Sequence, residues 1–232
     1  MRPVERGNAP TLEDGVPVVF RDYGDARDLL IKRIGDYCSY CENALHSSIH
    51  VEHVRPKSKN PGLVKTWTNF LLACDYCNPT KGDKDVDLHE YFWPDTDNTV
   101  RAFHYPLDRA PQIAHGLDQP HTEMAQRTLE LTGIEREPGH PALTDKDRRW
   151  LKRREAWGVA IHERRKIGES DTPQQRDSAV HVAIGRGFWS VWMQVFNDDH
   201  DMRRRLIAGF RGTSANCFGV DTQPIQRVGG KL

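Results

Sequence analysis

The sequence predicts an α+β protein in which a small cysteine-rich core precedes a mainly helical C-terminal region. Two Cys-x-x-Cys pairs bracket a stretch that alternates apolar and polar residues, as a strand does. Beyond about residue 105, apolar residues recur at helical spacing in several segments. A chain of 232 residues is long enough for one small module and a helical domain.

We expect four parts along the chain: an extended arm over residues 1–24, the cysteine-rich module over 25–105, a helical domain over 106–211 and a tail over 212–232. Pro and Gly are frequent in the arm. They also punctuate the connection from residue 106 to residue 120, where we place the domain boundary.

Local patterns predict the elements of the cysteine-rich module. Apolar residues at helical spacing predict a helix over 25–36, and Gly35 would end it. Alternation predicts a strand over 48–54, and a second strand is expected over 66–73, which ends in an apolar run. The second cysteine pair then opens a short helix with Pro79 in its first turn, and an aromatic-rich segment leads to a predicted strand pair near 100–105.

The C-terminal region is predicted to be helical over 121–132, 144–167, 180–196 and 201–210. Thr144 and Asp147 stand at capping-box spacing, which predicts the start of the second of these helices. The apolar stripe from Val180 to Phe196 continues through Gly185 and Gly187 and is predicted to form a core or a partner interface.

Charge and hydropathy exclude some classes of protein. The 33 Lys and Arg residues equal the 33 Asp and Glu residues, so no global basic field favours nucleic acid. There is no run of about 18 apolar residues and no charged-then-apolar leader, so we expect no membrane span and a cytoplasmic protein. A reducing compartment also favours metal binding over disulfides for the paired cysteines, with Cys217 a free thiol.

The two cysteine pairs predict a structural zinc site. Cys38 and Cys41 form the first pair, and Cys74 and Cys77 form the second. Each pair can turn both sulfurs toward one point, so that four thiolates close a tetrahedral Zn²⁺ site.

Residues between the pairs have the chemistry of a hydrolytic metal site. Glu52 could hold a hard cation, His53 could take a proton from water, and the Asn69 amide could orient the imidazole. Other interpretations are a surface carboxylate paired with Arg55 or Lys57, an ordinary histidine at a strand end, and an asparagine that caps its strand. Strict alternation would put Glu52 and His53 on opposite strand faces, so a shared site needs a bend.

Together these residues resemble the HNH endonucleases, which have a ββα-metal core. The resemblance rests on the paired knuckles, Glu52-His53 followed by Pro56, Asn69 before an apolar run, and Cys77-Asn78 followed by Lys81. It implies a general base at His53, a hydrogen bond from Asn69 that fixes the His53 ring, and a catalytic cation bound by Glu52 and Asn78.

Asn78 departs from the pattern that names the family, because that position is often His. A neutral amide oxygen leaves Glu52 as the only charged ligand, which favours Mg²⁺ or Mn²⁺ at the catalytic site. The alternative is that Asn78 only caps the short helix.

Candidate nucleic-acid contacts are Arg55, Lys57, Lys81 and Lys84. A stronger local excess of positive charge, nine Lys or Arg against three acids, lies between Lys146 and Lys166. That segment could equally be a solvated helix face. Trp150 and Trp157 within it are predicted to be core residues and not base-stacking platforms.

Beyond the core motif, the sequence resembles the HNH subunit of Septu-type and retron-linked antiphage systems, the PtuB-like proteins. The matching stretches are Met1–Val4, Trp67–Leu72, Pro94–Thr99 and Cys217–Phe218. This resemblance implies a DNA endonuclease, a hydrolase of phosphodiester bonds, that works with a separate ATPase subunit of the PtuA type. The stripe from Val180 to Phe196 or the C-terminal tail could contact that subunit.

Two other functions share parts of this pattern. A stand-alone restriction-type nuclease would share every motif residue. A non-catalytic, zinc-stabilised nucleic-acid-binding scaffold would need the cysteines but would tolerate the loss of Glu52 and His53.

Overall fold

The computed structural model describes all 232 residues. The chain begins with an arm that has no regular secondary structure. Met1, Arg2 and Val4 are buried. The Arg2 guanidinium donates to the carbonyls of Ile34 at 2.7 Å and Arg211 at 2.9 Å. The arm therefore packs between an early part of the chain and a late one.

Helix α1, Arg27–Ile34, lies within the range that its apolar spacing predicts. A short 3-10 turn, Tyr23–Ala26, precedes it, and the Asp22 side chain caps that turn by accepting from the Gly24 N–H at 2.7 Å. Gly35 follows the helix with a φ of 75°, a backbone conformation that favours glycine.

A two-stranded antiparallel sheet and a short helix form the centre of the cysteine-rich module. Strand β1, His50–His53, pairs with β2, Phe70–Ala73, so that Glu52 lies opposite Leu71 and His53 opposite Phe70. Helix α2 spans Cys77–Lys81. The predicted second strand is shorter than expected, because a 3-10 turn, Trp67–Asn69, places Asn69 just before the strand.

A second small hairpin follows, in which β3, Phe103–His104, pairs with β4, Gln112–Ile113. Strand β4 lies inside the predicted connection of residues 106–120. Helix α3, Gln119–Thr132, comes next, and the Asp118 side chain caps it by accepting from the His121 N–H at 2.9 Å.

Helix α4, Arg149–Glu169, begins five residues later than predicted. Thr144 and Asp147 do not form a capping box. The Asp147 N–H donates to the Thr144 carbonyl in a separate turn, and the Asp147 carboxylate accepts from the Arg149 guanidinium at 2.6 and 2.8 Å. The carboxylate thus binds the side chain of the first helical residue.

The predicted helix over 180–196 is two helices, α5, Pro173–Arg186, and α6, Trp189–Val195. The chain breaks at Gly187 and Phe188, which have φ values of 75° and 54°. A Cβ atom on Gly187 would lie 2.6 Å from the Glu42 carbonyl oxygen. The first cysteine knuckle therefore packs against this break, and only glycine fits there.

The apolar stripe is core. Phe188, Trp189, Val191, Trp192 and Phe196 are each at most 1% exposed. Of the two alternatives for this stripe, the core is confirmed for α6, which packs against α4 and α7, His200–Gly209, within the same chain.

One continuous hydrophobic core joins the cysteine-rich module to the helices. It includes Leu72 of β2, Trp157 of α4 and Leu232 at the end of the chain. The division into four parts stays a prediction. None of the helices is both long enough and apolar enough to cross a membrane.

Candidate active site

The four paired cysteines converge on one point, as predicted. All four are buried, and their sulfur atoms lie within 4.8 Å of one another. The Sγ atoms of Cys41 and Cys74 are 3.7 Å apart. Zinc–sulfur bonds of 2.3 Å in a tetrahedron would place sulfurs about 3.8 Å apart, so the cluster suits Zn²⁺.

Hydrogen bonds join this cluster to the rest of the fold. The Ser39 N–H donates to the Leu72 carbonyl at 2.8 Å, which ties the first knuckle to β2. The Arg149 guanidinium donates to Cys77 Sγ at 3.0 Å and to the Gly133 carbonyl at 2.8 Å. Such a donor stabilises a thiolate ligand and links it to α3 and α4.

A polar cleft of about 610 Å³ lies beside the sheet and α2, and we call it the β1–α2 cleft. It is lined by His50, Glu52, His53, Pro56, Lys57, Ser58, Asp75, Asn78, Pro79, Gly82 and Asp83. Three predicted site residues, Glu52, His53 and Asn78, therefore share one cleft. Glu52 lies within β1, and His53 is the last residue of that strand.

The His53 ring is fixed on one side by a backbone carbonyl. Its Nε2 lies 3.0 Å from the Val64 carbonyl oxygen, which can only accept, so Nε2 carries the hydrogen. Nδ1 bonds to no protein group and is the nitrogen that can take a proton. Burial lowers the pKa of His53, so the ring is neutral at pH 7.

Aromatic rings hold the same imidazole edge-on. The Tyr23 ring lies 5.0 Å and the Phe70 ring 5.3 Å from it, centroid to centroid. Lys57 packs over the Tyr23 ring at 4.1 Å and donates to its hydroxyl at 2.9 Å. These contacts restrict rotation of the His53 side chain.

Asn69 does not bond to the His53 ring, which corrects the expected orienting hydrogen bond. Its Oδ1 accepts from the Arg55 N–H at 2.7 Å, and its Nδ2 donates to the carbonyls of Arg55 at 3.0 Å and Leu63 at 3.3 Å. The amide lies before the strand and reaches across the loop between β1 and β2. It thus holds the segment that presents the Val64 carbonyl to His53.

Glu52 is 3% exposed and is paired with a buried lysine. Lys81 Nζ lies 2.9 Å from Glu52 Oε1 and donates to the His53 carbonyl at 2.7 Å. The Tyr40 hydroxyl donates to the same carboxylate oxygen at 3.4 Å. Burial raises the pKa of Glu52, and the Lys81 ammonium opposes that rise.

Lys81 was predicted to contact nucleic acid, and this is wrong, because its side chain is 0% exposed. It is instead the counter-ion of Glu52. A sequence signal exists: Lys81 is four residues after Cys77 on α2 and so shares its buried face. The sequence gives no signal for the hydrogen bond between His53 and Val64, since every residue has a backbone carbonyl group.

The other predicted contacts lie in different places. Lys57 lines the β1–α2 cleft, whereas Arg55 lines a separate cleft with Trp93 and Lys231. Lys84 is exposed and donates to the Thr80 carbonyl at 3.1 Å. The contacts of Arg55, Lys57 and Lys84 with nucleic acid stay predictions.

The donor set in the cleft suits a hard divalent cation. Lys81 and Tyr40 both bond to Glu52 Oε1 and leave Oε2 unbound by either side chain. The Asn78 side chain makes no hydrogen bond and does not cap α2, whose N-cap residue is Tyr76. A carboxylate oxygen and an amide oxygen in one polar cleft are ligands that Mg²⁺ and Mn²⁺ accept.

Comparison with known proteins agrees with this geometry. Residues 38–84 match the family model described as HNH endonuclease. A stretch of 84 residues is 34% identical to the Septu protein PtuB of Bacillus thuringiensis and covers 34% of this chain and 33% of that protein. The similarity thus spans about a third of the curated relative's length. Residues 38–84 of this chain form an HNH endonuclease domain.

Proposed function

We propose that the chain is a metal-dependent endonuclease that hydrolyses phosphodiester bonds of DNA in an antiphage defence system, together with a separate ATPase subunit. The main support for the catalytic part of this proposal is the hydrogen bonding of the His53 ring. Its Nε2 hydrogen is committed to the Val64 carbonyl, and Nδ1 is a free base in the cleft that holds Glu52 and Asn78.

In this proposal, His53 takes the proton of the attacking water through Nδ1. Lys57 lies on the same cleft wall and supplies positive charge for a phosphate. Glu52 and Asn78 would hold a Mg²⁺ or Mn²⁺ ion, which supplies electrostatic stabilisation of the phosphate and the leaving oxygen when bound. The cysteine cluster would hold Zn²⁺ and keeps α2 and the knuckles in place.

The defence role and the ATPase rest on the similarity to the Septu protein PtuB and on the resemblance of outer stretches such as Met1–Val4 and Pro94–Thr99 to the PtuB-like proteins. This similarity supports a shared system because it extends over more residues than the HNH motif occupies. In this proposal a second polypeptide supplies the ATPase, and the 232 residues contain no Gly-x-x-x-x-Gly-Lys phosphate-binding loop.

The test is cleavage of plasmid DNA and of RNA by the zinc-loaded protein with Mg²⁺ or Mn²⁺, with and without a candidate ATPase subunit. We expect His53→Ala to abolish DNA cleavage without changing the zinc content. His46→Ala, an exposed histidine outside the cleft, is the matched control and should keep activity.

His50→Ala tests whether another histidine of the β1–α2 cleft is the general base instead. His50 also lines the cleft, but its Nε2 is engaged by Asp75 at 2.6 Å. Loss of cleavage in His50→Ala and not in His53→Ala would contradict the assignment of the base. Cleavage without any partner would favour a stand-alone nuclease, and no His53-dependent cleavage of any nucleic acid would leave a zinc-stabilised scaffold.

A further inference from the structure

A second cleft, of about 410 Å³, lies at the first two turns of α4, and we call it the α4 cleft. Trp150, Arg153, Arg154 and Trp157 line it from the helix. The opposite rim is the loop at residues 108–110. The volume falls within the range of about 300–1,000 Å³ that is usual for small-molecule sites.

Arg153 is the unusual residue of this cleft. It is 2% exposed, yet its guanidinium takes part in none of the ion pairs of the structure. Its one hydrogen bond to the protein runs from Nη2 to the Ile134 carbonyl at 3.3 Å, and Nε has no partner. Glu42 and the Cys41 thiol act on it only from beyond ion-pair distance. A buried cation without an anion in contact is costly, so the site favours an anionic ligand.

A second buried donor in the same wall also lacks an acceptor. The Nε1–H group of Trp157, a residue that is 9% exposed, has no hydrogen-bond partner. A buried indole N–H is usually bonded, so this group and Arg153 Nε both favour a ligand that carries acceptor atoms.

The rim carries charges of both signs, and each exposed arginine there is paired with a carboxylate. The Glu137 carboxylate accepts from Arg109 Nε at 2.8 Å and from the Ala110 N–H, which fixes the loop against the cleft. Arg154 pairs with Asp108 at 2.9 Å. Arg109 and Arg154 are more than half exposed, so these pairs are weak and a phosphate can compete for the guanidinium groups.

Trp150 is half-buried and presents an aromatic surface to the same space. An aromatic ring beside arginine side chains is the combination that stacks a base and binds its phosphate. We propose that the α4 cleft binds a nucleotide, with the base stacked on Trp150 and the phosphate bound by Arg153 and Arg154.

The nucleotide can come from two sources, a free nucleotide or one residue of a single strand. Titration calorimetry should therefore use 5′-AMP, 5′-CMP, a short single-stranded oligonucleotide and inorganic phosphate. The measurements should use the zinc-loaded His53→Ala variant without Mg²⁺ or Mn²⁺. Because this variant is expected not to cleave nucleic acid, the result depends neither on cleavage nor on the proposed function.

We expect saturable binding that Trp150→Ala weakens about 5- to 100-fold and that Trp150→Phe largely keeps. Arg154→Gln should weaken binding as well. Lys152→Gln removes the same charge from an exposed residue of α4 that does not line the cleft, and it should leave the affinity unchanged. These surface substitutions avoid the folding risk of replacing buried Arg153.

Trp150-dependent binding of the mononucleotides would identify a free nucleotide as the ligand. Such binding of the oligonucleotide alone would identify a residue of a strand. The proposal is overturned if neither binds saturably, if Trp150→Ala binds as well as its parent, or if inorganic phosphate binds with the affinity of the nucleotides.

Discussion

Replacing Lys81 by Met should destabilise the protein strongly, although the position looks like an ordinary helical lysine. The substitution keeps the length of the side chain but removes the ammonium that lies 2.9 Å from Glu52 Oε1. Both side chains are almost completely buried, so the carboxylate would lose its only countercharge without gaining water.

Removing one partner of a buried ion pair costs roughly 3–5 kcal/mol. In a chain of this size each kcal/mol lowers the melting temperature by about 2–4 °C, so we expect a decrease of about 6–20 °C. The assay is thermal unfolding of the zinc-loaded protein without Mg²⁺ or Mn²⁺, because a bound cation would partly replace the lost charge.

Two further variants make the interpretation specific. Lys84→Met removes an exposed lysine three residues later and should change stability by no more than about 0.5 kcal/mol. Glu52→Gln combined with Lys81→Met removes both charges and should recover much of the loss. If Lys81→Met melted within about 2 °C of the wild type, the two residues would not form the buried pair described above.

Three other substitutions or conditions test the remaining features. Because burial lowers the pKa of His53 below its ordinary value of 6.5, kcat/KM for the proposed DNA cleavage should fall to half its maximum only below pH 6.5, as protonation removes the base. A half-maximum above pH 7 would contradict this. Asn69→Ala removes three hydrogen bonds and should lower the free energy of unfolding by about 3 kcal/mol in urea, whereas an unchanged value would show that the loop does not depend on this amide. Gly187→Ala should lower the free energy of unfolding by more than about 1 kcal/mol in the same assay. Gly185 has open space around it inside α5, so Gly185→Ala should raise that free energy by up to about 1 kcal/mol. Equal effects of the two substitutions would contradict the argument that the chain break requires glycine.

Features with a short-range signature were predictable from the sequence. The cysteine pairs have a fixed spacing, and each pair forms a local turn, so only the meeting of the two pairs needed the fold. Strand β1 follows from alternation and α1 from apolar spacing. Glu52 and His53 were identified because they stand together between the two cysteine pairs, followed by Pro56, in the pattern that resembles the HNH endonucleases.

Features that depend on a distant partner were not predictable. Lysine is usually exposed, and the burial of Lys81 depends on Glu52, 29 residues away. The helix break at Gly187 was not predictable from the apolar periodicity, because that periodicity continues through it. The residue that requires glycine there, Glu42, belongs to a distant segment of the chain. The partner of His53 is a carbonyl group, which no side-chain pattern can specify.

The arm at the start of the chain is paired with residues that lie more than 200 positions later. Val4 forms a bridge with Thr213, and the Ser214 N–H donates to the Pro3 carbonyl at 2.9 Å. The arm also reaches strand β2, where the Arg6 guanidinium donates to the Phe70 carbonyl, 64 residues later. During translation, the contacts of Pro3 and Val4 can form only after more than 200 further residues have been synthesised. The arm can therefore dock on the β1–β2 sheet early in synthesis, whereas its packing against residues 213–214 must come late.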